Sequence, residues 1–193
     1  MNFDQLTEKI QNILDLSERT VIVAISGFGG SGKTTLTNEL VKYFPGSEPL
    51  NLDNFIVNHA QGEGLMGGYD WERFESVLQG VKAGKDLHYQ FYDWELDKNT
   101  GWIDSPLPKL LVVEGIRLLQ PDLMHYFDLS IWIDKSSEEA TIQGKARDRQ
   151  NKNPEDFDIE AHIALWDSEW APKDQEYARL YNPKDIAQVL YRY

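Results

Sequence analysis

The chain has 193 residues, 41% hydrophobic and 26% charged, a composition typical of a globular protein with one sizeable core. Its formal net charge of -13 argues against nucleic acid and against an anionic membrane surface as partners, because both are bound through basic surfaces. The absence of cysteine excludes disulfides and thiolate metal sites.

Two further features concern the membrane. No apolar run has the length that a membrane span requires. The start of the chain, Met1-Asn2-Phe3-Asp4, lacks the basic residues and the apolar run of a signal peptide. We therefore expect a cytoplasmic protein.

Hydrophobic spacing and turn residues predict alternating helices and strands in the first half of the chain. The predicted elements are an amphipathic helix over 3–16, a buried strand over 20–26, a helix over 33–43, a strand over 49–52, a loop over 53–69 and a helix over 70–82.

The second half continues in the same way and adds a hairpin. The predicted elements are a hairpin over 87–104, strands over 110–113 and 129–133, a helix capped by Ser136 and Glu139, a polar mobile segment over 144–157, a helix over 159–180 and a strand over 186–190. Strands that alternate with helices predict an α/β fold with a mostly parallel sheet covered on both faces.

A phosphate-binding loop lies between the first strand and the next helix. Residues 27–34 fit the pattern G-x-x-x-x-G-K-[ST] at every fixed position. Glycines let the backbone N–H groups curl around phosphate oxygens, Lys33 reaches the β and γ phosphates, and the Thr34 hydroxyl can ligate Mg²⁺. The predicted ATP-binding residues here are Gly27, Gly29, Gly30, Ser31, Gly32, Lys33, Thr34 and Thr35.

The loop predicts a P-loop NTPase fold, a three-layer sandwich formed by one domain over 1–193. The hairpin at about 87–104 is an insertion, and the segment at about 144–157 is a mobile lid. ATP and Mg²⁺ are the expected cofactors.

Acidic residues stand where two strands are predicted to end, which is where α/β sheets bind ligands. Asp53 follows the strand over 49–52, and Glu114 follows the strand over 110–113. One carboxylate could be a general base and the other a ligand of Mg²⁺ or of its water. The alternative is that each caps a turn.

Several motifs together resemble the uridine kinase group of P-loop kinases, which includes phosphoribulokinase-like and pantothenate-kinase-like enzymes. The resemblance covers about residues 20–190 in order. The motifs are the phosphate loop at 27–34, Leu52-Asp53-Asn54-Phe55, Tyr69-Asp70-Trp71, Tyr92-Asp93-Trp94, Val112-Val113-Glu114-Gly115-Ile116 and Arg147-Asp148.

The resemblance implies roles for individual residues. Asp53 corresponds to the catalytic base, Glu114 to the carboxylate near the metal, and Arg147 to an arginine of the lid that reaches the nucleotide phosphates. Asp70 corresponds to a residue that holds substrate hydroxyls, and Tyr92 and Trp94 to aromatics of the acceptor pocket. From the residues alone, Asp70 is equally a helix N-cap, and a core position is favoured for the two aromatics. The other tryptophans are predicted to lie in the core: Trp71, Trp102, Trp132, Trp166 and Trp170.

The lid segment carries four basic residues in an acidic chain. Phosphoryl transfer needs cations that stabilise charge on the γ-phosphoryl group, so Arg147 is a catalytic candidate and Arg149 joins it in ATP binding. The alternative is a solvated helix face. In a helix, Lys145, Arg149 and Lys152 share one face while Arg147 points elsewhere.

Two departures from the group affect the acceptor rather than ATP. Gln143 and Gly144 stand where its nucleoside kinases carry an arginine pair, and Asp97 stands near the position of a pyrimidine-contacting histidine. Segments 53–70 and 87–104 hold seven carboxylates against Lys98, which favours a neutral or weakly charged acceptor over a phosphorylated sugar.

We therefore expect an ATP- and Mg²⁺-dependent small-molecule kinase whose acceptor is a hydroxyl, first of a nucleoside. Pantothenate, a riboside such as nicotinamide riboside and a sugar acid are alternative acceptors. A nucleotide-binding regulator without kinase activity is the alternative from another class. The expected partner is the small-molecule substrate, and a homo-oligomer is an open alternative.

Overall fold

The computed structural model describes residues 1–57, 64–93, 96–151 and 158–193, without the side chain of Asn151. Short 3-10 turns, Leu52–Phe55 and Met124–Tyr126, and a π-helical turn, Trp166–Trp170, separate some of the regular elements. The regular elements are α1 (Phe3–Asp15), β1 (Val21–Ser26), α2 (Lys33–Tyr43), β2 (Ser47–Asn51), α3 (Trp71–Lys82), β3 (Leu87–Asp93), β4 (Lys98–Ser105), β5 (Leu110–Glu114), β6 (Leu129–Ile133), α4 (Ser137–Asn151), α5 (Ile159–Leu165), α6 (Ala171–Tyr181), α7 (Pro183–Ile186) and β7 (Val189–Tyr191).

Five strands form one sheet in the order β2-β5-β1-β6-β7, and every neighbouring pair is parallel. The predicted parallel sheet is therefore confirmed. In its register Glu114 lies opposite both Ile25 and Asn51, so the carboxyl ends of the three strands β1, β2 and β5 meet at one edge. Strands β3 and β4 form the separate antiparallel hairpin that the sequence predicts.

Both faces of the sheet are covered, as expected for three layers. Along β1, side chains alternate between two hydrophobic clusters because successive residues of a strand point to opposite faces. Val21, Val23 and Ile25 pack with residues of α1 and α2, whereas Ile22 and Ala24 pack with residues of α3. The alternation explains why this strand is apolar throughout, with all six of its residues buried.

The first half of the segment over 144–157 is helical, and its mobility as a lid stays a prediction. Residues 144–151 belong to α4, which begins with the predicted cap: the Glu139 amide donates to Ser136 Oγ over 3.1 Å, and the Ser136 amide donates to Glu139 Oε2 over 3.2 Å. Asp148 is buried and anchors the end of the helix. The rest of the segment, 152–157, lies outside the described residues.

The C-terminal elements also differ from the prediction. The helix over 159–180 is interrupted by the π-helical turn Trp166–Trp170, a type of irregularity that is frequent at functional sites. The last strand is β7, and Ile186 belongs to α7. The core prediction for Trp102 is wrong, since 56% of it is exposed and its ring stacks on His88. Within the described ranges, no helix has the length and apolar character of a membrane span.

Candidate active site

The phosphate loop joins β1 to α2 at the carboxyl edge of the sheet. Gly30 and Gly32 adopt φ angles of 79° and 105°, in the left-handed region that favours glycine. Ser31 Oγ is buried and has no hydrogen-bond partner in the described part of the chain. An orphaned polar atom in a loop of backbone amides fits a cradle for an anion such as the phosphates of ATP.

Lys33, the first residue of α2, turns its ammonium back over this loop. Its Nζ donates to the carbonyl oxygens of Gly27 and Phe28 over 3.2 and 3.1 Å. Burial lowers the pKa of Lys33, and the charges of Asp174, Glu114 and Asp53 act against that shift. The ammonium is therefore held at the loop by weak neutral acceptors that a phosphate can replace.

Thr34 and Glu114 meet beside the lysine. The Thr34 hydroxyl donates to Glu114 Oε2 over 3.0 Å, and the Asn51 amide donates to Glu114 Oε1 over 3.3 Å. Burial raises the pKa of Glu114, although Lys33 and the Thr34 hydroxyl lower it. A hydroxyl and a carboxylate are ligands suited to Mg²⁺, which otherwise keeps water and phosphate oxygens. No cluster of three metal-binding side chains occurs in the described ranges, and Mg²⁺ with ATP needs none.

Asp53 lies in the turn that follows β2, where two neighbours fix its position. Its backbone N–H donates to Asn51 Oδ1 over 2.8 Å, and the Tyr69 hydroxyl donates to Asp53 Oδ1 over 3.2 Å. Burial raises the pKa of Asp53, whereas Lys33 and the hydrogen bond from Tyr69 lower it. A half-buried carboxylate with a raised pKa at a strand end has the character of a general base.

These side chains open into one cavity of about 480 Å³. Its lining brings together Lys33, Thr34, Asp53 and Glu114, as the sequence predicts, and Arg147 as well. Gly29 and Gly30 represent the phosphate loop in the lining, whereas Thr35 is exposed in the first turn of α2. The other lining residues are Asn51, Ile56, Val57, Gly64, Gly67, Gly68, Tyr69, Gly115, Ile116, Arg117, Asp148, His162, Trp166, Glu169, Trp170, Lys173 and Asp174.

Arg147 reaches the cavity because Asp148 holds it. Arg147 Nε and Nη2 donate to Asp148 Oδ1 over 3.0 and 2.8 Å, the Trp166 indole donates to Asp148 Oδ2 over 2.9 Å, and His162 Nε2 lies 3.0 Å from Oδ2. Burial raises the pKa of Asp148, but these hydrogen bonds outweigh burial and leave the pKa below its ordinary value. The carboxylate is therefore a stable anchor for α4, α5 and the π-helical turn.

Gly144, one of the two departures from the uridine kinase group, has a steric reason. A Cβ on Gly144 would lie 2.3 Å from Trp166 Cη2, and a Cβ on Gly30 would lie 2.2 Å from the Ala140 carbonyl oxygen. The phosphate loop, α4 and the Trp166 ring are thus in close contact, and no side chain fits at position 144. An arginine at position 144 would therefore clash with the ring of Trp166.

Three predicted residues outside the phosphate loop are not brought to the cavity. Within the described part of the chain, its lining does not include Asp70, Tyr92 or Arg149. Asp70 Oδ1 accepts from the Arg73 amide over 3.0 Å as the N-cap of α3, and Arg149 Nη2 lies 3.4 Å from Glu160 Oε2. The Tyr92 hydroxyl donates to Asp97, which raises the pKa of Tyr92 to about 12.

Trp94, also predicted for the acceptor pocket, lies outside the described residues. The different positions of Arg147 and Arg149 agree with the helical spacing that separates them.

Two cavity residues escaped the sequence analysis. Asp174 Oδ2 accepts the backbone N–H of Gly29 over 2.9 Å, although 145 positions separate these residues. Burial raises the pKa of Asp174, against the hydrogen bond from Gly29 and the charge of Lys33. Arg117 follows the Glu114-Gly115 motif, and no motif in the sequence assigns it to the cavity. Its place just after a strand end was the available signal, whereas Asp174, in the first turn of α6, gave none.

The comparisons with known proteins agree with this geometry. The NB-ARC domain model matches residues 3–55, the part that contains α1, β1, the phosphate loop and β2. A uridine kinase of Ureaplasma parvum serovar 3 is 28% identical over 188 residues, which cover 89% of this chain and 88% of the relative.

Two solved structures share the fold. A possible uridine kinase of Bacillus stearothermophilus is 19% identical with a TM-score of 0.66, covering 97% of this chain and 99% of that one. D-glycerate 3-kinase of Cryptococcus neoformans is 13% identical with a TM-score of 0.66, covering 90% and 88%. At these identities the likeness concerns the fold alone, and the fold is that of P-loop kinases.

Proposed function

We propose that this chain, a uridine kinase-like P-loop kinase, transfers the γ-phosphoryl group of Mg²⁺-bound ATP to a hydroxyl of a small molecule. The observation that carries the proposal is the convergence of Lys33, Asp53 and Glu114 on one cavity, at the edge where β1, β2 and β5 end. The nucleotide site and a half-buried carboxylate base are thereby next to each other, as phosphoryl transfer to a hydroxyl requires.

Each side chain has a role that follows from its position. Asp53 accepts the proton of the attacking hydroxyl, and Tyr69 orients the carboxylate through its hydrogen bond. Lys33 neutralises charge that develops on the transferred group, and Arg147 adds a second cation from α4. Thr34 and Glu114 would hold Mg²⁺, which supplies charge stabilisation between the β and γ phosphates when bound.

A nucleoside is the first acceptor to test, because uridine kinases are among the relatives. A hydroxy acid is the second, and the cation Arg117 in the cavity favours it. A nucleotide-binding regulator that hydrolyses ATP without an acceptor is the competing proposal. The regulator proposal assigns no role to Asp53 or to the cavity next to this residue. In addition, the match to the NB-ARC model ends at residue 55.

The test is ATP turnover with Mg²⁺, with and without a panel of ribosides, hydroxy acids and phosphorylated sugars. We expect a phosphorylated product with at least one acceptor and little ADP in its absence. Lys33→Ala should lower turnover at least about a hundredfold, since it removes a charge that is worth most in the transition state. ADP formation at the same rate with and without every acceptor would favour the regulator, and full turnover by Lys33→Ala would refute the nucleotide site.

A further inference from the structure

Arg117 lines the cavity beside Tyr69, the hydrogen-bond partner of Asp53. It follows β5 by three residues and lines the cavity with Asp53. Its guanidinium carbon lies 5.7 Å from the centroid of the Tyr69 ring, and the Tyr69 hydroxyl is hydrogen-bonded to Asp53. The arginine is therefore next to the pair of residues that orients the attacking hydroxyl.

The guanidinium of Arg117 has no acceptor within the described ranges. Its Nε is buried without a hydrogen-bond partner, and its side chain forms no ion pair with any described residue. The other cavity cations are occupied: Arg147 by Asp148, Lys173 by Glu169 over 2.6 Å, and Lys33 by two carbonyls. A buried donor without a partner costs free energy, so a ligand that supplies an acceptor gains correspondingly in affinity.

We propose that Arg117 binds a carboxylate of the phosphoryl acceptor, so that the substrate is a hydroxy acid. The proposal rests on the kinase function proposed above. The planar fork of a guanidinium matches the two oxygens of a carboxylate, and the charged hydrogen bonds so formed are among the strongest in proteins.

A carboxylate suits the surrounding charges better than a phosphate does. Asp53 and Asp174 line the same cavity as Arg117, whose charge lowers the pKa of both, so the two carboxylates act on any ligand of that arginine. They repel a dianionic phosphate about twice as strongly as a singly charged carboxylate, because Coulomb energy scales with charge. The single positive charge of the Arg117 guanidinium balances the single negative charge of a substrate carboxylate.

The sequence favours a neutral or weakly charged acceptor because segments 53–70 and 87–104 hold one cation, Lys98. Of these two segments, only the first contributes described residues to the cavity lining. The described parts of β3 and β4 contribute nothing to the cavity lining, whereas Arg117 and Lys173, outside both segments, do contribute. The charge that decides the acceptor is therefore that of the strand ends and of α6.

The experiment compares kcat/KM for matched pairs of acceptors: sugar acids against the parent sugars, and pantothenate against its alcohol, pantothenol. Neutral ribosides and phosphorylated sugars complete the panel. We expect at least about tenfold preference for an acid, the range of one charged hydrogen bond. Arg117→Gln should abolish the preference, mainly through KM for the acid, and leave KM for ATP unchanged. Arg117→Lys should restore part of it.

Arg149→Gln is the matched control, since the same change then falls outside the cavity lining. Binding of the acid in the presence of a non-hydrolysable ATP analogue, measured by calorimetry, should be lost in Arg117→Gln alone. Turnover of ribosides without turnover of acids overturns this inference and leaves the kinase function intact, and so does a preference for phosphorylated sugars. An equal loss with every acceptor, together with a raised KM for ATP, assigns Arg117 to the nucleotide and overturns it too. No product with any acceptor refutes the kinase function itself.

Discussion

The hydroxyl of Tyr69 donates a hydrogen bond of 3.2 Å to Oδ1 of Asp53 and so fixes the orientation of the carboxylate. We predict that Asp53→Asn lowers kcat about a hundredfold or more while ATP still binds, because an amide cannot take the proton of the acceptor hydroxyl. Single-turnover kinetics and nucleotide titration measure the two effects separately.

Asp70→Asn is the control for this prediction. Asp70 caps α3, and asparagine is an equally good N-cap, so this variant should keep both its fold and its kcat. The opposite pattern, with normal kcat in Asp53→Asn and a collapse in Asp70→Asn, would move the base to Asp70.

The second prediction concerns pH. Burial raises the pKa of Asp53, and the carboxylate must be ionised to act as a base, so activity is lost as pH falls through a value above the ordinary aspartate pKa of about 3.9. The hydrogen bond from Tyr69 lowers this pKa. Tyr69→Phe should therefore move the acid limb of the kcat profile to higher pH, with a smaller effect on the plateau. A limb that stays in place or moves to lower pH would show that Asp53 does not set it.

The sequence predicted the nucleotide end of the site far better than the acceptor end. The phosphate loop is local: its glycines, Lys33 and Thr34 are consecutive, so the pattern alone places their atoms. Asp53 and Glu114 could also be assigned, because parallel strands bring their carboxyl ends to one edge. The fold itself followed from the same alternation of strands and helices.

The acceptor end depends on contacts between distant segments. Asp174 meets Gly29 from the first turn of α6, and Trp166 reaches the phosphate loop only because Gly144 has no side chain. Neither contact leaves a local pattern in the sequence. Tyr92 was assigned from a linear motif, whereas in the structure its hydroxyl bonds to Asp97 in the hairpin.

The third prediction tests the packing at position 144. In Gly144→Ala the new Cβ would lie 2.3 Å from Trp166 Cη2, closer than any contact allows, so α4 or the Trp166 ring must move. Overpacking of this kind costs about 1–3 kcal/mol of stability. Because α4 also touches Gly30, ATP affinity should fall as well. Thermal unfolding and nucleotide titration measure both effects.

Gly80→Ala provides the comparison. Gly80 lies within α3, and the atom nearest to a new Cβ there is the Cβ of Lys85, 4.0 Å away. Alanine is favoured over glycine inside a helix by about 1 kcal/mol, so this variant should be at least as stable as the wild type. Equal effects of the two substitutions would mean that the contact with Trp166 does not matter.

The last prediction concerns how Asp174 affects the stability of the protein at different pH values. Burial raises its pKa in the folded protein, so the folded state holds a proton more tightly than the unfolded state does. Stability therefore falls as pH rises through the folded pKa. Asp174→Asn keeps an oxygen that can accept from Gly29 but cannot ionise, so it should be more stable than the wild type at neutral pH, and the gain should shrink on acidification.

The pKa shift of Asp134 has the opposite sign, because hydrogen bonds from Lys184 and Arg192 lower its pKa. Asp134→Asn should lose stability at neutral pH, with the loss vanishing as pH falls below the ordinary aspartate range. Urea unfolding of the wild type and the two variants across pH measures these differences in stability. A difference between Asp174→Asn and the wild type that does not vary with pH would contradict the presence of an ionised carboxylate with a raised pKa at the phosphate loop.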